Sequence, residues 1–231
     1  MPVGATGSVV TCNEQSKGAA AEPLRGRFAL TSAYTKSYVS FGDVNADAFD
    51  FDLGENVDFE RLAVVAENDF FFGKYTFSVV AGGVLAGTLS SREATYTVDP
   101  GWLVAANLSW RVFEEKGNAP YVLLNVSLGA MGASTSFRDL RGRYYGFDFR
   151  FGLTAGKTFE HVFSPYLAFR IFGGPILWDM GDGALTLGSD RYHVQPALGF
   201  VVILPGGGDF FVEGSPVGEQ AASLGVGWAY F

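Results

Sequence analysis

His193 stands two residues from Arg191 and two from Gln195, a spacing that puts all three side chains on one face of an extended chain. An imidazole in such company is suited to general-base chemistry. No Ser or Asp motif lies beside it to complete a nucleophilic or acid–base set, so no catalytic residue is assigned and the chain is expected not to be an enzyme. The acidic run Asp43-Val44-Asn45-Ala46-Asp47 opens like a calcium loop, with oxygens at alternate positions. Ala48 then replaces the turn glycine, and Gly54 stands where a bidentate Glu belongs. It reads as a solvated loop, and no metal ligand is assigned. The glycine-rich stretch Gly82-Gly83-Val84-Leu85-Ala86-Gly87 is followed by no helix whose N-terminus could hold a phosphate. Cys12 is the sole cysteine, which excludes an internal disulfide or a thiolate zinc site. No cofactor is expected.

The remaining chemistry-bearing residues are charges set among apolar runs. Sorting the runs by parity places Tyr75, Phe77, Val79, Leu85, then Trp102, Val104, Leu108, Trp110, then Phe147, Phe149, Phe151, Leu153, then Leu167, Phe169, Ile171 on one face, with no charge among them. The opposite face carries Arg111, Asp148, Arg150, Arg170, Arg191 and His193, and Arg61, Glu67 and Glu213 are read onto the same side. Strict alternation over many segments indicates strands with two different environments. A charge-free face is what lipid contact demands, since Arg or Lys there costs about 2–4 kcal/mol at the midplane. Lipid also offers no hydrogen bonds to a free strand edge, so the strands must close into a barrel. The charges then share a narrow interior. Two readings stand: a salt-bridged plug that rigidifies the barrel, or a narrow pore whose arginine-biased lining favours anions.

Composition agrees with one membrane-embedded domain. The chain has 231 residues, 48% hydrophobic against 17% charged, and a net charge of −8, which argues against nucleic acid as a partner. The uncharged stretches Tyr75 to Ser91 and Gly117 to Phe137 are long enough for a membrane helix, but Val122, Leu124, Val126, Leu128 and Ala130 repeat every second residue. Residues 1–25, small, polar and Gly/Ala-rich, are expected to form a flexible tail, and 26–231 an all-β, antiparallel transmembrane β-barrel. About ten strands are expected, with eight or twelve as alternatives. Short turns are expected near 68–73, 114–118, 157–163 and 205–209, and longer outer links at 43–57 and 179–189. Pro196 lies inside a run where it cannot donate to the ladder, which predicts a bulge.

From Ala222 onward Leu224, Val226, Trp228 and Tyr230 alternate with Ser223, Gly225, Gly227 and Ala229, and the chain ends on Phe231. Ser223, Gly225, Trp228 and Tyr230, in that order before a terminal aromatic, resemble the C-terminal signal of bacterial outer-membrane β-barrels. Phe231 falls on the small-residue face, whereas the family's terminal Phe usually shares the aromatic one. The resemblance implies residence in the bacterial outer membrane, with outer-membrane lipids and the barrel-assembly machinery as partners and an envelope protein as a further possible partner. The barrel fold does not by itself select a role; with no catalytic motif assigned, a structural or partner-binding role is expected, with a narrow anion-favouring channel as the alternative. A lipid-modifying enzyme using His193 near the outer rim is the third reading, because enzymes of this class place a His with Asp or Ser there.

Overall fold

The computed structural model describes residues 26–42, 56–92, 94–179 and 185–230. Among them there is no helix, and thirteen antiparallel segments form one closed sheet. They are β1 (Gly26–Gly42), β2 (Asn56–Phe72), β3 (Tyr75–Ser90), β4 (Thr95–Val98), β5 (Gly101–Phe113), β6 (Tyr121–Phe137) and β7 (Leu140–Gly156), followed by β8 (Phe163–Gly173), β9 (Pro175–Asp179), β10 (Leu185–Asp190), β11 (Val194–Ile203), β12 (Gly208–Ser215) and β13 (Gln220–Tyr230). Three pairs share a stave: β4 with β5, β8 with β9, and β10 with β11, each interrupted by a short break. The thirteen segments therefore make ten staves, the number the alternation predicts. The tail 1–25, the link 43–55 and Phe231 lie outside the described residues.

The ring does not keep one size. At the end carrying Gly26 and Tyr230 all ten staves are present, closed by β13 against β1. The β12–β13 hairpin is short, however, and turns part-way up the wall. Beyond its turn β10 pairs directly with β1, Val39 opposite Asp190 and Gly42 opposite Leu187, so eight staves remain at the far end. Pro196 sits beside this step. Its carbonyl accepts a hydrogen bond from Ser215 Oγ at 2.8 Å, and the ladder to β12 begins only at Leu198. The missing N–H thus faces the place where β12 has ended. No register shift occurs there, which corrects the expected bulge; the irregularities fall at Leu62/Ala63 and Arg111/Phe113 instead.

The outer wall carries an uncharged belt in which Leu30, Val64, Val79, Val104, Leu128, Phe149, Phe151, Phe169, Ile171, Leu198 and Val226 are all exposed. Aromatic residues rim it near the termini, where Tyr75 stacks on Trp110 at 6.2 Å and the Tyr230 hydroxyl donates to Asn68 Oδ1 at 2.7 Å. At the other edge Tyr34, Trp102 and Tyr192 are exposed. Past that edge the pattern inverts. Lys36, Asp58, Glu60 and Arg143 point outward, while Phe41, Phe59, Leu89, Leu103, Tyr144 and Trp178 are buried together inside. A strand leaving lipid for water meets the opposite solvent preference, so its apolar residues move to the interior face.

Candidate functional site: the barrel interior

The interior is a stack of three charged layers, with an apolar layer at the end far from the termini. Nearest the termini, Arg27 is completely buried, its Nε donating to Asp209 Oδ2 at 2.6 Å and its Nη1 to Asp69 Oδ2 at 3.0 Å. Asp69 also accepts from Ser78 Oγ. Glu67 projects beside this group, with Oε1 buried and unbonded. The guanidinium lies across Gly227, where any Cβ would collide with it. One small residue in the last strand therefore makes room for a cation in the first.

In the second layer Arg170 donates in parallel to both oxygens of Glu213, at 2.8 and 2.7 Å, and the Tyr166 hydroxyl adds a third bond at 3.0 Å. Such bidentate pairs fix geometry as well as charge. An apolar cluster of Tyr121, Leu123, Val201, Ile203 and Phe211 packs toward the terminal end.

The third layer lies at the step from ten staves to eight. The turn after Ser215 places Gly218 at φ +78°, with the Val194 carbonyl oxygen where a side chain would stand, so only glycine fits. Glu219 follows, buried at the side chain. It accepts from Arg61 Nη2 at 3.0 Å, from Arg150 Nη2 and from Ser37 Oγ at 3.2 Å, and its own carbonyl accepts from Gln195 Nε2 at 2.9 Å. Arg150 also binds Asp148 and the Gln195 side chain. Both guanidiniums are backed by rings, Arg61 by Phe59 at 5.0 Å and Arg150 by Phe172 at 4.9 Å, contacts that gain strength once desolvated. The cavity left among these groups measures about 30 Å³, room for about one water.

Arg61, Arg150, Arg170, Asp148 and Glu213 thus meet in the interior as their parity requires. Three others do not join them. Arg191 and His193 are exposed in the break between β10 and β11, which corrects their inward placement. His193 rests over Gly173, on the parity of Phe169 and Ile171, with Nδ1 3.1 Å from the Phe172 carbonyl oxygen. The strand break shifts the phase of alternation, so parity carried through it points the wrong way. Arg111 is half-buried at the β5 bulge, six residues beyond Ala105, which is level with Asp148. The lumen is also not charge-filled along its whole length, since the far end is apolar. Sequence reading missed Arg27, Asp69, Asp209 and Glu219. Arg27 alternates with Phe28 and Leu30 and was accessible to the same argument; Glu219 lies in a turn, where periodicity carries no signal.

Of the terminal motif, Leu224, Val226, Trp228 and Tyr230 face outward and Ser223, Gly225 and Gly227 inward. No family model matches the chain, and no curated protein does. Among solved structures, the outer membrane protease OmpT from Escherichia coli aligns over 92% of this chain and 99% of its own, with a TM-score of 0.58 at 8% identity. The fold is that of an outer-membrane β-barrel. The translocator domain of the autotransporter NalP from Neisseria meningitidis covers 99% and 100%, with a TM-score of 0.48 at 12% identity. These likenesses concern architecture. With its uncharged lipid-facing belt, the fold places this barrel in the bacterial outer membrane.

Proposed function

We propose that this chain is a closed outer-membrane barrel that conducts nothing and serves a structural or partner-binding role through its outer rim. The observation that carries the reading is the convergence of Arg61 and Arg150 on Glu219 where the ring narrows. A side-chain plug is what a barrel of about eight strands can hold. Beyond it, among the described residues, an apolar layer around Tyr144, Phe59 and Trp178 fills the interior, surroundings that oppose the passage of an ion. An anion-favouring pore would need unpaired arginines along an open passage, and the interior arginines at positions 27, 61, 150 and 170 all hold acids. The non-enzymatic reading is supported by the surroundings of His193, whose Nδ1 lies 3.1 Å from the Phe172 carbonyl oxygen on the outer face, over Gly173. Recognition of Trp228 and Tyr230 by the assembly machinery remains part of the proposal, resting on their outward aromatic faces.

The test uses photo-crosslinking amino acids placed in cells at the rim positions Arg138, Leu140 and Leu185, together with solute-swelling of liposomes containing the purified protein. A discrete adduct with an envelope protein and no swelling is the expected result. Swelling without a discrete adduct would overturn the proposal.

A further inference from the structure

The outer wall holds a feature that the plug does not explain. Across β3, β5, β6 and β7 the lipid-facing row Val79, Ala106, Leu128, Phe149 and the next row Ala81, Val104, Ala130, Phe147 set alanines among larger side chains. The small residues continue into Gly173 and Gly174 at the break between β8 and β9. Together they leave an apolar trough of about 670 Å³ on the outer surface, floored by Ala105 and Gly129 and bounded by Phe147, Phe149 and Pro175. Asp148 borders it, but its Oδ2 is held inside by Arg150.

Directly along β7 from the trough, Tyr145 marks the edge of the apolar belt, and Arg143 and Arg141 follow on the same outward parity, both exposed. In register beside them on β6 stand Ser134 and Ser136, also on the outer face. Two guanidiniums and two hydroxyls form a donor patch that lies about 13 Å (Arg143, Ser134) to about 20 Å (Arg141, Ser136) beyond Phe147, at about 3.3 Å per residue. Among the described residues neither arginine takes part in an ion pair, and the nearby acids are Asp139, in the hairpin turn, and Asp179, opposite Arg143 on β9. Because the longest link, 43–55, also lies at this end, the usual asymmetry of such barrels assigns it to the outer leaflet.

We propose that this wall is a lipid site: one phosphorylated lipid of the outer leaflet, its phosphate held by Arg141 and Arg143 and one acyl chain lying in the trough. Guanidinium forks match phosphate oxygens, and in a membrane an acyl chain is the apolar matter available to fill a lipid-facing recess. Phosphate capture and chain burial act on the same molecule, so each should be needed for retention.

The experiment is native mass spectrometry of the full-length protein released from detergent micelles, titrated with bisphosphorylated lipid A or with the same lipid stripped of phosphate. One retained lipid is expected with the phosphorylated form, reduced at least tenfold by the Arg141→Gln/Arg143→Gln double variant and also by Ala130→Phe, which fills the trough. Heat-dependent gel mobility checks that each variant remains folded. Equal retention of the two lipids would overturn the proposal. So would full retention by Ala130→Phe, which would leave only a surface charge effect, or displacement of the lipid by millimolar inorganic phosphate, which would mark a free-phosphate site.

Discussion

Glu219 and Arg150 form a buried ion pair that ties the tip of a short hairpin to a strand on another side of the barrel. The hairpin ends where it does because β10 takes over the pairing with β1. Glu219 therefore hangs at the point where ten staves become eight, and it meets Arg61 as well as Arg150 there. Narrowing and plugging are one event in this fold.

Replacing Glu219 with Ala leaves Arg61 without its acid and Arg150 with Asp148 alone. Removing one partner of a buried pair costs about 3–5 kcal/mol. Equilibrium unfolding in lipid bilayers should show a loss in that range, whereas Glu60→Ala, on the exposed Lys36 pair, should cost less than about 1 kcal/mol. Similar effects from the two variants would contradict the assignment of Glu219 to the interior.

Gly227 lies under the Arg27 guanidinium. Gly227→Ala should force Arg27 off Asp209 and destabilise the barrel by about 1–3 kcal/mol. Gly73, at a hairpin tip with open space around it, serves as the control, because Ala there meets only the backbone cost of positive φ, about 1 kcal/mol. The checking measurement is the temperature at which each variant loses its compact gel form.

The inversion of pattern beyond the belt has its own consequence. Trp178, buried against Phe41 and Tyr96, should cost about 3–5 kcal/mol on change to Ala. Ser134→Arg, on the outer face of the same end, should change unfolding by less than about 0.5 kcal/mol. Phe149→Arg, in the belt, should cost about 2–4 kcal/mol if it sits near the midplane. A large penalty for Ser134→Arg would place that region inside the bilayer.

Deleting Trp228 to Phe231 removes the end of β13, which pairs with β1 from Gly26 to Phe28. The chain should then fail to assemble and be degraded, as read from cell-envelope fractions. Accumulation of a heat-modifiable barrel from the truncated chain would count against the role of this strand in closure.

The parts of the fold that alternation can report were legible in the sequence. Phe147, Phe149 and Phe151 opposite Asp148 and Arg150 were enough to orient β7, and the same reasoning located ten staves. Alternation failed where the backbone changes phase or direction. Residues Arg191 and His193 stand in a strand break, so their face could not be carried over from Gln195. Asn68-Asp69 reads as a turn by composition, yet β2 runs on to Phe72, with Asp69 held on the inner face by its cross-strand neighbours Arg27 on β1 and Ser78 on β3. The apolar far end was hidden for a different reason: parity distinguishes two faces, but where the membrane ends decides which one is filled with apolar groups.

Whether the interior is plugged is decided by the current that the purified protein passes in a planar lipid bilayer. With Arg27, Arg170, Arg150 and Arg61 each held by acids and the far end packed with Trp178, Tyr144 and Phe59, no steady conductance is expected under an applied voltage. Large, steady, anion-selective currents from the wild-type chain would contradict it and show that the interior is a pore.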